Sequence, residues 1–250
     1  MKVWVRVQSA IDPFLLRQSA LGVGRRQVGR KSMHAVYVFD AYGTLFDVHA
    51  AVRRHAAAVG ADAERLSALW RTKQLEYSWT RALAGRYRDF WALTEDALDY
   101  AFAKVPSAPV ETRDALLAAY RTLDAYPEVI DVLTTLKRAG AQTAILSNGS
   151  PQMLENAVEA AGIGALLDDV LSVDGLATFK PLPAVYELVT TRFRVFAEAI
   201  SFQSSNRWDV AGATAFGCRT VWINRTGEPD EYADLPPAVT LSSLSGLPGV

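Results

Sequence analysis

The apolar residues from 35 to 39 run without interruption into Asp40, and Gly43 follows three positions later. A short unbroken run bounded by a turn residue predicts a strand buried on both faces, the form that parallel sheets use. From Asp47 to about Tyr120 the pattern changes to one rich in Ala, Leu, Arg and Glu, which predicts helices over 51–58, 63–83, 87–102 and 111–123. Gly60, Gly85 and the Pro106/Pro109 segment separate them. After Pro127, a helix over 129–138 leads through Gly140 to a strand at 143–146 that ends in Ser147, Asn148 and Gly149. A helix over 153–161, a strand at 169–172, a helix over 184–191, a strand at 199–202, a short helix over 210–216 and a strand at 219–223 follow. The tail from Asp234, with Pro236, Pro237, Leu241, Leu244 and Leu247, predicts a final strand and a loose end. Such alternation specifies an α/β fold, a doubly wound parallel sheet, with an all-helical insertion after its first strand. The expected division is a core built from 33–46 and 125–250 and a helical cap at 47–124.

Residues 1–32 do not share this pattern. They carry seven basic side chains against Asp12 alone, a net of +6. A transit segment or surface-binding arm is the weaker reading. The plainer one is a disordered extension, or a translation start placed too early, with Met33 as the true beginning. No apolar run in this stretch reaches the roughly 18–20 residues of a membrane span. The whole chain of 250 residues has a net charge of −1, which gives no electrostatic case for nucleic acid. A single cysteine, Cys218, excludes an intrachain disulfide and suits a reducing, cytoplasmic setting. With three histidines and that one cysteine, a Cys/His zinc site has little material.

In a doubly wound sheet ligands sit beyond the carboxyl ends of the strands, so the polar groups there matter most. Four ends supply them: Asp40; Ser147 and Asn148; Lys180; and Ser204, Ser205, Asn206 and Asp209. Asp40 alone could be a nucleophile, a metal ligand, a general base or a cap on its own turn. A lysine after a strand is more often solvated than catalytic, yet Lys180 near Asp40 would hold a carboxylate ionised. Ser147 and Asn148 offer hydroxyl, amide and backbone N–H groups to a small anion. Thr44 could orient Asp40, and Trp208 could wall one side of the patch.

The segments DAYGTLFD, LSNGSP, FKPLPAVY and SSNRWDVAGA together resemble the haloacid dehalogenase superfamily. The insertion segment LWRTKQLEYSWTRALAGRYRDFW, and VWINRTG later, resemble the hydrolytic L-2-haloacid dehalogenases in particular, over residues 36–227. The resemblance implies a haloacid dehalogenase-like core with a cap, and the hydrolysis of (S)-2-haloacids to D-2-hydroxy acids and halide. Asp40 would attack C2 opposite the halogen, and water would then attack the carbonyl of the aspartyl ester. Thr44 would position Asp40, and Lys180 would pair with it. Arg71, with Asn148 beside it, would receive the halide. Ser147 and the Asn148 backbone would bind the substrate carboxylate. Tyr186 would order the site, and Ser204, Asn206 and Asp209 would position and activate the water. Tyr42, Leu75, Phe90 and Trp208 would enclose the alkyl part.

Physical chemistry agrees with these roles. Halide needs no proton on leaving, only a cationic or hydrogen-bonding cradle as charge develops. Phosphatases of this superfamily carry an acid two residues after the nucleophile, where this chain has Tyr42. A phenol with a pKa of about 10 cannot protonate an alcohol leaving group at neutral pH. No metal or other cofactor is therefore expected, although Asp40 and Asp209 keep a residual metal site open. The expected partners are a small 2-haloalkanoate, water and halide, with a homodimer through Leu66, Leu69, Leu75 and Trp79 on the long helix. The rival readings are a Mg²⁺-dependent phosphatase and a catalytically silent binding protein.

The chain also departs from the pattern of these dehalogenases. Thr72 replaces a glutamine beside Arg71 and could reshape the pocket. Phe179 replaces a tyrosine, and Arg194 and Phe196 stand where a glycine turn and a proline are expected. Arg207 could draw an anionic substrate to the mouth or simply face water.

Overall fold

A computed structural model describes residues 36–250; the expectation for residues 1–32 lies outside them. The chain enters through β1 (Val36–Phe39), every residue of which is buried. It then makes α1 (Ala50–Arg54), α2 (Ala56–Val59), α3 (Ala63–Ala84), α4 (Phe90–Lys104) and α5 (Arg113–Arg121) before α6 (Val129–Arg138) returns it to the sheet at β2 (Gln142–Ser147). There follow α7 (Pro151–Ala160), β3 (Asp169–Ser172), α8 (Pro183–Phe193), β4 (Ile200–Ser204), α9 (Arg207–Phe216), β5 (Arg219–Ile223) and β6 (Val239–Leu241). The strands form one six-stranded sheet in the order β3-β2-β1-β4-β5-β6, with every pairing parallel. The chain builds outward from β1 to β3, then crosses to β4 on the other side and builds outward again. The reversal falls at β1, so the crevice beyond its carboxyl end is the natural ligand site. Phe39 pairs with both Ile145 and Gln203, which clamps the residue before Asp40 from both sides.

The helical insertion packs on itself: α3 lies along α4, and α1 packs on α3 and α5, whereas α6 packs on β2. The helix expected over 51–58 is two pieces, because His55 leaves helical geometry at φ −109° and ψ 14°. The helix expected from Tyr87 begins only at Phe90. Asp89 takes extended backbone and its carboxylate accepts the Ala92 N–H at 3.0 Å, so the cap fixes the start. The tail does contain its final strand, β6. No helix among the described residues is long and apolar enough to cross a membrane.

Arg194 ends α8 in the left-handed region, at φ 54° and ψ 45°. A side chain there is crowded by the backbone, and glycine relieves it. Arg194→Gly is expected to raise the unfolding free energy by about 1 kcal/mol in a urea titration. A midpoint that stays put or falls would show that the connection is unstrained.

Candidate active site

Asp40 sits at the end of β1, 6% exposed, with its N–H donating to Gln203 O at 2.9 Å. Gly43, at φ 94°, turns the chain back so that Thr44 reaches the same carboxylate. Oδ2 accepts Thr44 Oγ1 at 3.1 Å, Asn206 Nδ2 at 2.8 Å and Ser204 Oγ at 3.4 Å. Thr44 Oγ1 itself accepts the Ser205 N–H at 2.8 Å. A hydroxyl that accepts on one side is left to donate on the other, so Ser205 aims the Thr44 proton at Asp40. Asn206 N–H likewise donates to Ser204 Oγ at 3.1 Å.

Oδ1 of Asp40 faces Lys180, whose Nζ lies 3.0 Å away and also 2.8 Å from Asp209 Oδ2. Both Lys180 and Asp209 are buried, at 1% and 0% exposure. Burial on its own would depress the lysine, but Asp209 and Asp40 outweigh it, and its pKa is raised above the ordinary value. Burial raises Asp209 to about 6, with Asp40 pushing the same way and Lys180 opposing. Tyr186 donates to Asp209 Oδ1 at 2.8 Å. Burial, then the charge of Asp209, raises the phenol well above its usual range, so it remains a donor. Asn148 Oδ1 accepts the Lys180 N–H at 2.9 Å and fixes the loop that carries the lysine. On the far side, α9 comes so close at Gly212 that a Cβ would lie 2.5 Å from the Tyr186 hydroxyl. Only glycine admits that approach.

The metal site left open by the sequence is filled by the protein's own cation. Lys180 Nζ lies between the two carboxylates that a divalent ion would have to bridge. No cluster of three or more His, Cys, Asp or Glu suited to a metal occurs among the described residues.

Over Asp40 lies a tight cleft with a free volume of only about 10 Å³, lined by Asp40, Tyr42, Arg71, Leu75, Phe90, Ser147, Asn148, Asn206 and Trp208. Every expected substrate-contacting residue is on its wall. Tyr42 is 4% exposed and lies against Tyr120 at 5.8 Å and 8° between planes, and against Phe90 at 6.5 Å. Burial raises its phenol well above the usual value, so it is a neutral wall and not an acid. Arg71 comes down from α3, and its Nη2 donates to Tyr42 O and to Asn206 Oδ1, each at 3.3 Å. Among the described residues no carboxylate pairs with it within 4.0 Å. A guanidinium with only neutral partners beside a cleft has its charge free to accept an anion. The larger surface hollow beside Pro151, Leu154 and Val170 is away from this chemistry.

Some expectations are overturned. Thr72 does not reach the pocket: it is exposed and donates back to Ala68 O at 2.9 Å. Arg207 neither guards the mouth nor faces water. It is 5% exposed, donates Nε to Asp230 at 2.6 Å and Nη2 to Tyr232 O and Leu235 O, and so ties down the 230–235 loop. Leu66 is fully buried within the cap, while Leu75 lines the cleft and Trp79 meets Trp208 edge-on at 5.3 Å. Leu69, Leu75 and Trp79 are each half-buried, so only Leu66 is wholly enclosed within the subunit. Phe179 takes its expected place mildly, packed between Tyr87 at 5.1 Å and Phe90 at 6.0 Å.

The sequence reading missed Tyr120 and Gln74, both buried beside Arg71, and Tyr87, whose hydroxyl bonds Asp174 across cap and core. Gln74 carried a signal, since it follows Arg71 by three residues and therefore shares its helix face.

The geometry can be set beside known proteins. A model of the haloacid dehalogenase-like hydrolases matches residues 34–217. The (S)-2-haloacid dehalogenase 1 of Pseudomonas sp. (strain CBS-3) is 50% identical over 212 residues, 84% of this chain and 93% of that protein. The (S)-2-haloacid dehalogenase 4A of Burkholderia cepacia is 48% identical over 211 residues, 84% of this chain and 91% of that protein. The structure of L-2-haloacid dehalogenase from Xanthobacter autotrophicus with chloropropionic acid covalently bound superposes with a TM-score of 0.79 at 36% identity. That match covers 87% of this chain and 98% of the other.

Proposed function

Since this chain belongs to the haloacid dehalogenase-like hydrolases, we propose that it hydrolyses L-2-haloalkanoates to D-2-hydroxy acids and halide through an ester on Asp40. The observation that carries this reading is Arg71, a guanidinium without a carboxylate partner, poised over the cleft that Asp40 enters from below.

The carboxylate of Asp40 attacks C2 from the face opposite the halogen. The new C–O bond forms as the C–X electron pair leaves with the halide, and Arg71 and the side-chain amide of Asn148 receive the developing charge. Ser147 and the backbone amides around Asn148, at the start of α7, hold the substrate carboxylate. Tyr42, Leu75, Phe90 and Trp208 exclude water while the displacement occurs, which strengthens both nucleophile and cradle. Thr44, Asn206 and Ser204 keep the attacking carboxylate in one orientation.

Esterification removes the negative charge of Asp40, and Lys180 is then left with Asp209 alone. The Asp209 carboxylate, with Ser204 and Asn206, orients water and takes its proton as the water oxygen adds to the ester carbonyl. The acyl C–O bond breaks, the proton held by Asp209 passes to the departing alkoxide oxygen, and C2 keeps the configuration set by the first step. One inversion turns the L-substrate into a D-2-hydroxy acid. No acid is needed for the leaving halide, which is why a neutral Tyr42 suffices.

The test is halide release from L-2-chloropropionate after exhaustive chelation of metal. D-lactate and undiminished rates are the expected result. The rate should fall on acidification as Asp209 becomes protonated and can no longer take a proton; its pKa is raised to about 6 while Asp40 is charged, and the loss of that charge on esterification moves the fall to lower pH. Phosphate-ester turnover abolished by a chelator, with no halide release, would overturn the reading.

A homodimer and a cytoplasmic setting belong to the same proposal. The exposed Leu83 at the end of α3, 87% accessible, gives a dimer an apolar contact beside the half-buried Leu69 and Leu75 of the same helix. The buried, unpaired Cys218 suits a reducing compartment.

A further inference from the structure

Two hollows meet at one wall. The cleft over Asp40 has room for about 10 Å³, near what a single water needs, and a haloacid is several times larger. The site is therefore closed, and a wall of the cleft has to part before substrate can enter or halide can leave. Among its wall residues Asp40, Tyr42, Phe90, Ser147 and Asn148 are buried. The others, Arg71, Leu75, Asn206 and Trp208, are only partly covered. Arg71, Asn206 and Trp208 also line a second hollow of about 480 Å³, which exposed residues such as Thr226 border on its outer side. The larger hollow beside Pro151, about 930 Å³, shares no residue with the cleft.

Within the shared wall, Asn206 is anchored on Asp40 Oδ2 at 2.8 Å. Arg71 is held more loosely, by two 3.3 Å bonds to neutral acceptors that water can replace. Trp208 meets Trp79 of the cap edge-on. The rest of the outer hollow is firm. Arg225 stacks over the Tyr126 ring at 3.6 Å and donates to Glu128 at 2.7 Å and to Thr44 O at 3.0 Å, while Arg207 is tied to Asp230. With those two arginines paired, Arg71 keeps its charge available to an anion on either side of the wall. Exposed Glu228 and Glu231 stand on the rim of the outer hollow.

We infer that the outer hollow is the vestibule of the site, the passage by which a small monoanion, haloacid or halide, moves between water and the cleft, with Arg71 and Trp208 as the parting wall. The identity of the anion rests on the proposed dehalogenation. Because Arg71 lines both spaces, a departing halide can cross the wall without first giving up its cation. Glu228 and Glu231 oppose the inward traffic, since carboxylates at the rim repel an incoming anion and slow its entry.

The experiment follows binding of D-lactate, the expected product, by stopped-flow tryptophan fluorescence, with Trp208 in the wall as the reporter. Glu228→Gln combined with Glu231→Gln is expected to raise the association rate about two- to threefold at low ionic strength, and the gain should fade by about 0.5 M salt. Glu155→Gln with Glu159→Gln makes the same charge change beside Pro151 and should leave the rate unaltered. Thr226→Tyr puts a bulky ring into the vestibule from its exposed side. It should slow association and dissociation together, each roughly fivefold, so that affinity stays near that of the wild-type chain. A defect in the cleft itself would change the affinity instead. Rates unmoved in either vestibule variant, or an equal gain from the control pair, would overturn the route. A wild-type chain that releases no halide from L-2-chloropropionate would overturn the dehalogenase reading instead.

Discussion

Asp40→Asn is expected to abolish steady halide release, with a loss of at least about 10⁴-fold. The amide matches the carboxylate in shape but is no nucleophile. It also brings two N–H donors to a site that already supplies Lys180 Nζ, Asn206 Nδ2, Thr44 Oγ1 and Ser204 Oγ as donors. One donor must face another, and the surroundings become less ordered as well as unreactive. The companion measurement is a single turnover of the wild-type chain in ¹⁸O-water. Label should enter the Asp40 carboxylate, because water attacks the ester carbonyl and not C2. Label found only in the hydroxy acid after that single turnover, or steady turnover by the asparagine variant, would show that water attacks the substrate directly.

The second large effect is expected from Lys180→Met. The substitution removes the cation between two carboxylates, one of them wholly buried. Breaking such a group by deleting one partner costs about 3–5 kcal/mol, because a desolvated charge is left without compensation. Activity should vanish with it. The pH dependence gives the check. Asp209 already has a folded-state pKa raised from 3.8 to about 6 by burial. Between those values the folded chain binds a proton that the unfolded chain has released, so its contribution to stability falls as pH rises through the window. Removing Lys180 raises the folded pKa further, and the deficit of the variant should shrink on acidification from pH 7 to pH 5. Lys180 itself behaves in the opposite sense at the alkaline end. Its raised pKa gives stability that is complete below its unfolded value of 10.5 and is lost as pH rises through the folded one. Urea titrations of both chains at several pH values would measure this; a variant equally unstable at pH 5 and pH 7 would exclude a buried, unpaired Asp209.

The sheet and its polar rim were readable before any coordinates because parallel strands end on one side. Asp40, Lys180 and Asp209 are far apart in sequence, yet each lies in the stretch that follows a strand, β1, β3 or β4, and the fold has one place to put such endings. The cap was harder. In α3 the buried positions include Ser67, Gln74 and Ser78 beside Leu66 and Trp70, so polar residues sit on the face that a hydrophobic pattern would have marked as core. Arg71 was therefore indistinguishable from Lys73 or Arg81 without the family resemblance. Tyr120 looked like an ordinary core aromatic, and only its hydrogen bond to Gln74 sets it apart. Arg207 was misread because its partner, Asp230, is too distant in sequence for local pattern to reveal.

Among the described residues, the hydrogen bonds to the Asp40 side chain come from Thr44, Lys180, Ser204 and Asn206, and α1 to α5 supply none. The insertion reaches the nucleophile only at one remove, where Arg71 touches Tyr42 O and Asn206. In the proposed mechanism attack thus belongs to the core alone, while departure draws on the insertion through Arg71 as well as on Asn148. A different helical insertion joined at the same two points would inherit a complete ester-forming carboxylate and be free to recognise another leaving group. New substrates could then be explored by exchanging a lid, with the attacking half of the reaction left intact.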